Sequence, residues 1–210
     1  MDLFKDRIDA GKQLAEKLQK HKGKDAIVLA IPRGGIIVGD EIAKSLSFGL
    51  DIIVPRKIGS PQDPEFAIGA VAPDGSISLD EDTVKTYGIS EAYTKSKVKE
   101  ELQEIKRRME IYRGNKPFPK LENKVVIITD DGVATGNTIL ASIEFVKNQK
   151  PSKTIVAVPV APSGFIAIVS SMVDEVISLK TLEPFYAISM HYENFEQTTD
   201  EEVISILKNY

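Results

Sequence analysis

Two adjacent carboxylates, Asp130 and Asp131, begin a segment whose residue types could bind a ligand. The segment continues to Thr138 as Gly-Val-Ala-Thr-Gly-Asn-Thr, which supplies small residues, hydroxyls and backbone N–H groups. N–H groups at the start of a helix attract an anion, whereas paired carboxylates accept hydrogen bonds from hydroxyls. The combination therefore suits a sugar phosphate better than a bare phosphate. A P-loop would have Lys after its last Gly, and Asn137 stands there instead.

The residues on either side of this segment predict the elements that position it. Val125–Ile128 is a continuous apolar run, typical of a parallel strand buried on both faces. Ile139–Ala141 opens a helix. The acids and the small residues would then lie between a strand end and a helix start. A strand end with an Asp-Gly turn and a helix cap is the alternative without function, and the complete run favours ligand binding.

The order of residues resembles the 5-phosphoribosyl-1-diphosphate (PRPP) binding motif of type I phosphoribosyltransferases: apolar strand, two acids, small or apolar residues, then Thr-Gly-x-Thr. In that family the acids hold the ribose 2′- and 3′-hydroxyls and the loop holds the 5′-phosphate. The resemblance implies that PRPP is bound by Asp130, Asp131, Gly132, Val133, Ala134, Thr135, Gly136, Asn137 and Thr138. It also implies Mg²⁺ as cofactor, held mainly by PRPP oxygens and by no protein side chain directly.

A second candidate loop, Pro32–Gly35, follows the apolar run Ala26–Ile31. Its glycines would let N–H groups approach a ligand closely, and Arg33 offers a forked donor to a phosphate. By itself a Gly-Gly turn is more typical of a tight connection. The loop resembles the pyrophosphate loop of the same family, which implies a cis peptide bond between Pro32 and Arg33. The resemblance implies that pyrophosphate is bound by Arg33, Gly34 and Gly35.

A polar segment with three prolines, residues 55–66, follows the apolar run Leu50–Val54. Its composition predicts an irregular lid over the site, and a disordered surface connection is the alternative. The segment partly resembles the mobile catalytic loop of adenine-type phosphoribosyltransferases. That resemblance implies that Arg56 and Lys57 also bind pyrophosphate.

The resemblance implies that a ring nitrogen displaces pyrophosphate from C1 of PRPP. The residues expected to contribute to catalysis are Arg33, Arg56, Lys57, Asp131 and Glu65. Glu65 is the candidate proton acceptor, and a solvated loop carboxylate is an equally good interpretation of it.

Two residues bear on the acceptor. Ala134 stands where enzymes for 6-oxopurines commonly have Asp, which disfavours hypoxanthine and guanine without establishing adenine. Phe185 resembles the aromatic residue that covers the base in purine phosphoribosyltransferases, so we expect it to contact the acceptor. Packing of the aromatic-rich tail onto the core is the alternative.

The apolar runs and the helices between them predict an α/β fold with an open parallel sheet and helices on both faces. We expect one domain over residues 1–210, with a helical insertion at about 80–120 and a small aromatic-rich C-terminal tail, or hood, at about 180–210.

A Pro-Asp-Gly turn predicts a hairpin between 67–72 and 76–79. A helix over 90–112 has an apolar stripe that predicts packing on its own domain, and a homodimer seam is the alternative. Its arginines, expected to be solvated, are Arg107, Arg108 and Arg113.

Composition excludes several classes of function. The net charge of −4 argues against a general nucleic-acid binder. The absence of Cys excludes disulfides, thiolate zinc sites and Cys nucleophiles. The charged start of the chain and the lack of about 20 consecutive apolar residues predict a cytoplasmic protein with no membrane partner.

We therefore interpret the sequence as a PRPP-dependent phosphoribosyltransferase with a nitrogenous, nucleobase-like acceptor. The whole chain also resembles a group of predicted phosphoribosyltransferases that share its IPRGG, PRKIG, DDGVATGNT and YENFEQ segments. Two alternatives remain: a regulator that binds PRPP or a nucleotide without catalysis, and a nucleotide hydrolase or phosphorylase on the same fold.

Overall fold

Five apolar runs pair side by side as parallel strands, because helices return the chain between them to the same edge of the sheet. The computed structural model describes residues 3–64 and 66–210. The strands are β1 Ala26–Ala30, β2 Gly49–Ile52, β3 Arg56–Gly59, β4 Ala67–Val71, β5 Ile77–Leu79, β6 Val125–Thr129, β7 Lys153–Pro162 and β8 Glu175–Leu182. The helices are α1 Arg7–Lys17, α2 Gly35–Leu46, α3 Glu81–Thr86, α4 Glu91–Arg113, α5 Asn137–Asn148, α6 Ser163–Val169 and α7 Asp200–Leu207.

The main sheet has the strand order β2-β1-β6-β7-β8, with every neighbouring pair parallel. Every residue of β1 and β6 is buried, as the continuous apolar runs predict. Helices α1, α2 and α7 pack on one face and α5 and α6 on the other. The expected open parallel sheet with helices on both faces is confirmed. Ala30 pairs with both Ile52 and Thr129, so the loops after β1, β2 and β6 start side by side.

A separate antiparallel sheet, β3-β4-β5, lies outside the main one. The hairpin of β4 and β5 confirms the turn prediction. The prediction that residues 55–66 lack regular structure is wrong for β3, which pairs with β4 from Arg56 to Gly59. The reason is Ile58, whose fully buried side chain packs with Ile68 and Ile105. That burial stabilises a strand despite the prolines that follow it.

Helix α4 covers the small sheet with its apolar stripe, which confirms packing on its own domain. Arg107 is exposed as expected, but the prediction that Arg113 is solvated is wrong. Arg113 donates from Nε to Asp51 Oδ1 at 2.7 Å and from Nη2 to Asp51 Oδ2 at 2.8 Å, with both side chains 7% exposed. The buried carboxylate on β2 requires this partner.

Within residues 3–64 and 66–210, no helix is both long enough and apolar enough to cross a membrane.

The C-terminal tail is tied to the start of the chain. Phe4 forms a parallel bridge with Tyr192, and its N–H donates to the carbonyl oxygen of His191 at 2.9 Å. The Phe4 and Tyr192 rings are 5.3 Å apart. Helix α7 then begins with a capping box between Thr199 and Glu202.

Candidate functional site

A cleft of about 600 Å³ opens at the carboxyl ends of β1, β2 and β6. Residues from the three loops that follow these strands meet in its lining. Strand β3 and helix α4 also contribute to its walls. The lining residues from the loops and β3 are Ile31, Pro32, Val54, Pro55, Arg56, Lys57, Gly59, Pro64, Asp130, Gly132, Val133, Ala134, Thr135, Gly136 and Thr138.

Asp130 is the carboxylate that the β6 loop presents to the cleft. It is half-buried, and its Oδ1 accepts a hydrogen bond from the Asp131 N–H at 2.8 Å. Burial first, and then the charge of Asp131, raises the pKa of Asp130 well above that of an ordinary carboxyl group. A hydroxyl-rich ligand that donates to this carboxylate would stabilise its charged form.

The loop after Asp130 ends at Gly136, which has φ of +82° and precedes the first residue of α5. A Cβ atom there would lie 2.3 Å from Cδ2 of Phe165, so the position has no room for a side chain. No side chain caps the start of α5, which lies beside the cleft because Gly136 and Thr138 line it. Such a helix start attracts an anion such as a phosphate.

Asp131 lies differently from its neighbour. Its carboxylate is buried and accepts a hydrogen bond from Arg7 Nε at 2.7 Å, and its carbonyl oxygen accepts one from the Tyr192 hydroxyl at 2.6 Å. Asp131 is absent from the described residues that line the cleft. The structure thus brings one of the two expected acids into the cleft. Arg7 was missed by sequence reasoning, because an Arg in the first turn of an amphipathic helix has the pattern of a surface residue.

The loop Pro32–Gly35 packs against both acids. The peptide bond between Pro32 and Arg33 is cis, as the family resemblance implied. A Cβ atom on Gly34 would lie 1.9 Å from Asp131 Oδ2, and one on Gly35 would lie 2.9 Å from the Cα atom of Asp130. Both glycines therefore permit close contact with the acids.

The Arg33 side chain points to the C-terminal helix and not to the cleft. Its Nη1 lies 3.7 Å from Asp200 Oδ1, and Arg33 lines a smaller cavity beside α7. The structure therefore does not bring Arg33 together with the other two expected pyrophosphate ligands.

Those two cations, Arg56 and Lys57, line the cleft as expected. Arg56 donates to Glu101 Oε2 at 2.8 Å, which fixes its guanidinium against α4. Lys57 is exposed, and among the described residues no carboxylate lies within ion-pair distance of it. Lys57 is therefore the cleft cation whose charge is available to a ligand.

Helix α4 supplies cleft residues that sequence reasoning missed. Its charged wall consists of Lys97, Glu100, Glu101 and Arg108. Lys97 pairs with both glutamates, and Arg108 pairs with Glu104. Their spacing of three, four and seven residues puts them on one helix face, and that spacing is the signal by which they could have been found.

The acceptor residue expected from sequence, Phe185, lies beyond the end of β8. It is half-buried and stacks on His191 with ring centroids 5.5 Å apart. The part of the tail that lines the cleft is Ile188, which packs over Gly132. Glu65, the candidate proton acceptor, lies outside the described residues.

Comparisons with known proteins identify the family of the chain. A family model for the phosphoribosyl transferase domain matches residues 3–164. A Mycobacterium tuberculosis protein, provisionally named a phosphoribosyl transferase, is 40% identical over 207 residues, which cover 99% of this chain and 47% of that protein. The chain thus spans about half the length of the curated relatives it matches.

Two solved structures extend the comparison. A crystal structure of a Thermus thermophilus protein matches with a TM-score of 0.84 at 34% identity. The match covers 100% of this chain and 99% of the Thermus thermophilus chain. An Aquifex aeolicus protein matches with a TM-score of 0.50 at 11% identity, and the match covers 83% of this chain and 74% of the Aquifex aeolicus chain. At that identity the likeness shows the fold alone. Together with the family model, which matches more than half of the chain, these relatives show that the chain belongs to the phosphoribosyl transferase domain family.

Proposed function

We propose that this chain transfers the 5-phosphoribosyl group of PRPP to a nitrogenous, nucleobase-like acceptor and releases pyrophosphate. One observation carries the proposal: a cleft at adjacent strand ends combines the carboxylate of Asp130, an uncapped helix start and the cations Arg56 and Lys57. A carboxylate suits ribose hydroxyls, a helix start suits the 5′-phosphate, and cations suit the diphosphate. Membership of the phosphoribosyl transferase domain family supports the same reaction.

Each group has a defined part in the proposed mechanism. Residues 132–138 hold the 5′-phosphate at the start of α5, and Asp130 accepts hydrogen bonds from the ribose hydroxyls. Arg56 and Lys57 stabilise the negative charge that collects on the diphosphate as its bond to C1 breaks. The acceptor nitrogen forms the new bond to C1. Arg33, with the Gly34 and Gly35 amides, is proposed to approach the diphosphate from the neighbouring loop.

Mg²⁺ would neutralise part of the diphosphate charge when PRPP is bound. Within the described ranges, 3–64 and 66–210, no group of three His, Asp or Glu side chains could hold a metal ion. Glu101, an acid in the cleft wall, is already paired with Arg56 and Lys97. We propose that Mg²⁺ would be held mainly by the oxygens of PRPP.

The acceptor is proposed to lie between the hairpin and the tail. Ile188 supports this placement because it brings the tail into the cleft lining. Phe185, three residues earlier, is proposed to cover the acceptor from that side. In an assay of pyrophosphate release, Phe185→Ala should therefore raise the KM for the acceptor and leave PRPP binding nearly unchanged.

PRPP with Mg²⁺ is expected to raise the melting temperature of the protein. A ligand at about 100 times its dissociation constant adds about 2.7 kcal/mol of stability, which corresponds to roughly 5–10 °C for a chain of this size. Differential scanning fluorimetry with PRPP, ribose 5-phosphate and a free nucleoside measures the effect. A shift with the nucleoside and none with millimolar PRPP and Mg²⁺ would make the proposal wrong.

The Lys57→Ala variant should bind PRPP about 10-fold more weakly and bind ribose 5-phosphate as the wild type does. The reason is that Lys57 is proposed to meet the diphosphate, which ribose 5-phosphate lacks. Titration calorimetry with both ligands measures the difference. Lys95→Ala is the matched control, because Lys95 is an exposed lysine on α4 that pairs with Glu91 outside the cleft. Equal losses for both ligands would place Lys57 elsewhere in the complex.

A further inference from the structure

The Asp131 carboxylate joins the start of the chain to its tail. Arg7 Nε donates to Asp131 Oδ2 at 2.7 Å, and Arg7 Nη1 donates to the carbonyl oxygen of Glu196 at 2.7 Å. The guanidinium carbon lies 3.8 Å from the centre of the Phe195 ring. The side chains of Arg7 and Asp131 are only 9% and 13% exposed. A guanidinium bound on three sides has one orientation, so it fixes the carboxylate that it contacts.

The other sides of Asp131 are equally restricted. The Tyr192 hydroxyl donates to its backbone carbonyl, and the absence of a side chain on Gly34 lets the Pro32–Gly35 loop pack onto its Oδ2 atom. The Asp131 N–H in turn donates to Asp130 Oδ1. Asp131 is therefore held from both loops and the tail, and it holds the cleft carboxylate through its own N–H.

We propose that Arg7 is a positioning residue: it keeps Asp131 as a buried counter-ion behind the ligand loop, so that Asp130 is the carboxylate that receives the ribose hydroxyls. The proposal rests on the proposed function, because it assigns a role within the PRPP site. Arg7 is not among the described residues that line the cleft, and in the proposed role it acts through Asp131.

The charges around the two acids explain why the site needs Arg7. Among the described residues, Arg7 from α1 and Tyr192 from the tail are the titratable groups that face the two acids, and Asp9 on α1 acts on Tyr192. Burial and the charge of Asp131 raise the pKa of Asp130, and the charge of Arg7 lowers it. Without Arg7 the charge of Asp131 is uncompensated, so the pKa of Asp130 rises further.

The sign of the effect on binding follows from this pKa. Ribose hydroxyls bind the charged carboxylate more strongly than the neutral acid. PRPP affinity is therefore full above the pKa of Asp130 and is lost as the pH falls through it. Removal of Arg7 should make that loss begin at a higher pH.

The chain offers a matched control for a purely structural role. Asp51 and Arg113 form a second buried ion pair, also with a 2.7 Å contact and with side chains 7% exposed. Neither residue lines the cleft. Loss of that pair should lower stability without changing the pH dependence of PRPP binding.

The test is titration calorimetry with PRPP and Mg²⁺ from about pH 5 to about pH 9, which brackets a raised carboxyl pKa. Arg7→Met should move the acid midpoint of PRPP affinity upward by about one pH unit and weaken binding about 10-fold below it. Arg7→Lys, which keeps the positive charge, should have a midpoint close to that of the wild type. The double variant Arg7→Met with Asp131→Asn should return the midpoint towards the wild-type value, because the carboxylate that required compensation is gone.

The outcomes separate the two proposals. If wild type does not bind PRPP at any pH, the proposed function fails and this inference fails with it. If wild type binds and Arg7→Met keeps the wild-type midpoint, or Arg113→Met shifts it equally, the positioning role is wrong and the function stands. Should Arg7→Met fail to fold, the midpoints of Arg7→Lys and of the double variant decide. A double variant whose midpoint stays about one pH unit above that of the wild type would overturn the proposal.

Discussion

Replacing Asp130 by Asn is expected to abolish the rise in melting temperature that PRPP produces, while the free protein stays at least as stable as the wild type. Each hydrogen bond to a charged group is worth about 1.5–3 kcal/mol, so loss of the carboxylate should weaken PRPP binding roughly 100-fold. The free protein gains from the change, because the raised pKa of Asp130 means that its charge destabilises the folded state near neutral pH. The Asn side chain can still accept from the Asp131 N–H.

Differential scanning fluorimetry with and without PRPP measures both effects of Asp130→Asn. Asp25→Asn is the matched control. Asp25 is an exposed carboxylate just before β1, at the amino ends of the strands and away from the cleft at their carboxyl ends. A variant that keeps the full PRPP shift would show that Asp130 does not contact the ribose.

Gly136→Ala should reduce PRPP affinity more than 100-fold and destabilise the protein. The alanine must adopt the left-handed backbone at φ of +82°, which costs about 1–2 kcal/mol, and must displace the Phe165 ring. Overpacking of this kind typically costs a further 1–3 kcal/mol or so. Since Gly136 immediately precedes α5, both adjustments move the N–H groups proposed to bind the 5′-phosphate.

Gly75→Ala isolates the backbone part of this effect. Gly75 has φ of +87°, but no atom lies within 4 Å of the position that its Cβ would occupy. Urea denaturation should show the loss of about 1–2 kcal/mol, and calorimetry should show unchanged PRPP affinity. The account of the loop is contradicted if Gly136→Ala binds PRPP as tightly as Gly75→Ala does.

The parts of the fold that sequence predicts are those with a local physical cause. Val125–Ile128 is apolar at every position because β6 is buried on both faces, and that cause is visible without any other part of the chain. The place of the cleft follows in the same way, because loops after parallel strands meet at one edge of the sheet. Ser90 and Thr199 likewise cap helices within three residues of their partners.

The parts that sequence reasoning missed depend on distant partners. Arg7 and Asp131 are 124 residues apart, and Asp51 and Arg113 are 62 apart. No periodicity links such pairs, so each Arg has the pattern of a solvated residue until the sheet brings its carboxylate near. Strand β3 was missed for a related reason. Its stabilising contact, Ile58 with Ile105 on α4, is invisible in a segment rich in proline and charge.

For the candidate site, backbone features agree with the sequence prediction, whereas the directions of several side chains differ from it. Backbone features, such as the cis peptide bond before Arg33 and the glycine before α5, agree with the family motif. Side-chain directions do not follow from the motif. Arg33 lies beside Asp200, and Phe185 stacks on His191, because neighbours from the tail bind them there.

The central claim is that the cleft transfers a phosphoribosyl group, and a screen for pyrophosphate release tests it most directly. The screen incubates the protein with PRPP, Mg²⁺ and a panel of nitrogenous bases, with an acceptor-free reaction as control. We predict release that depends on one class of acceptor and matches, mole for mole, the formation of its phosphoribosylated product. Equal release without any acceptor would identify a hydrolase, and no release with any acceptor, despite PRPP binding, would contradict the proposed transfer.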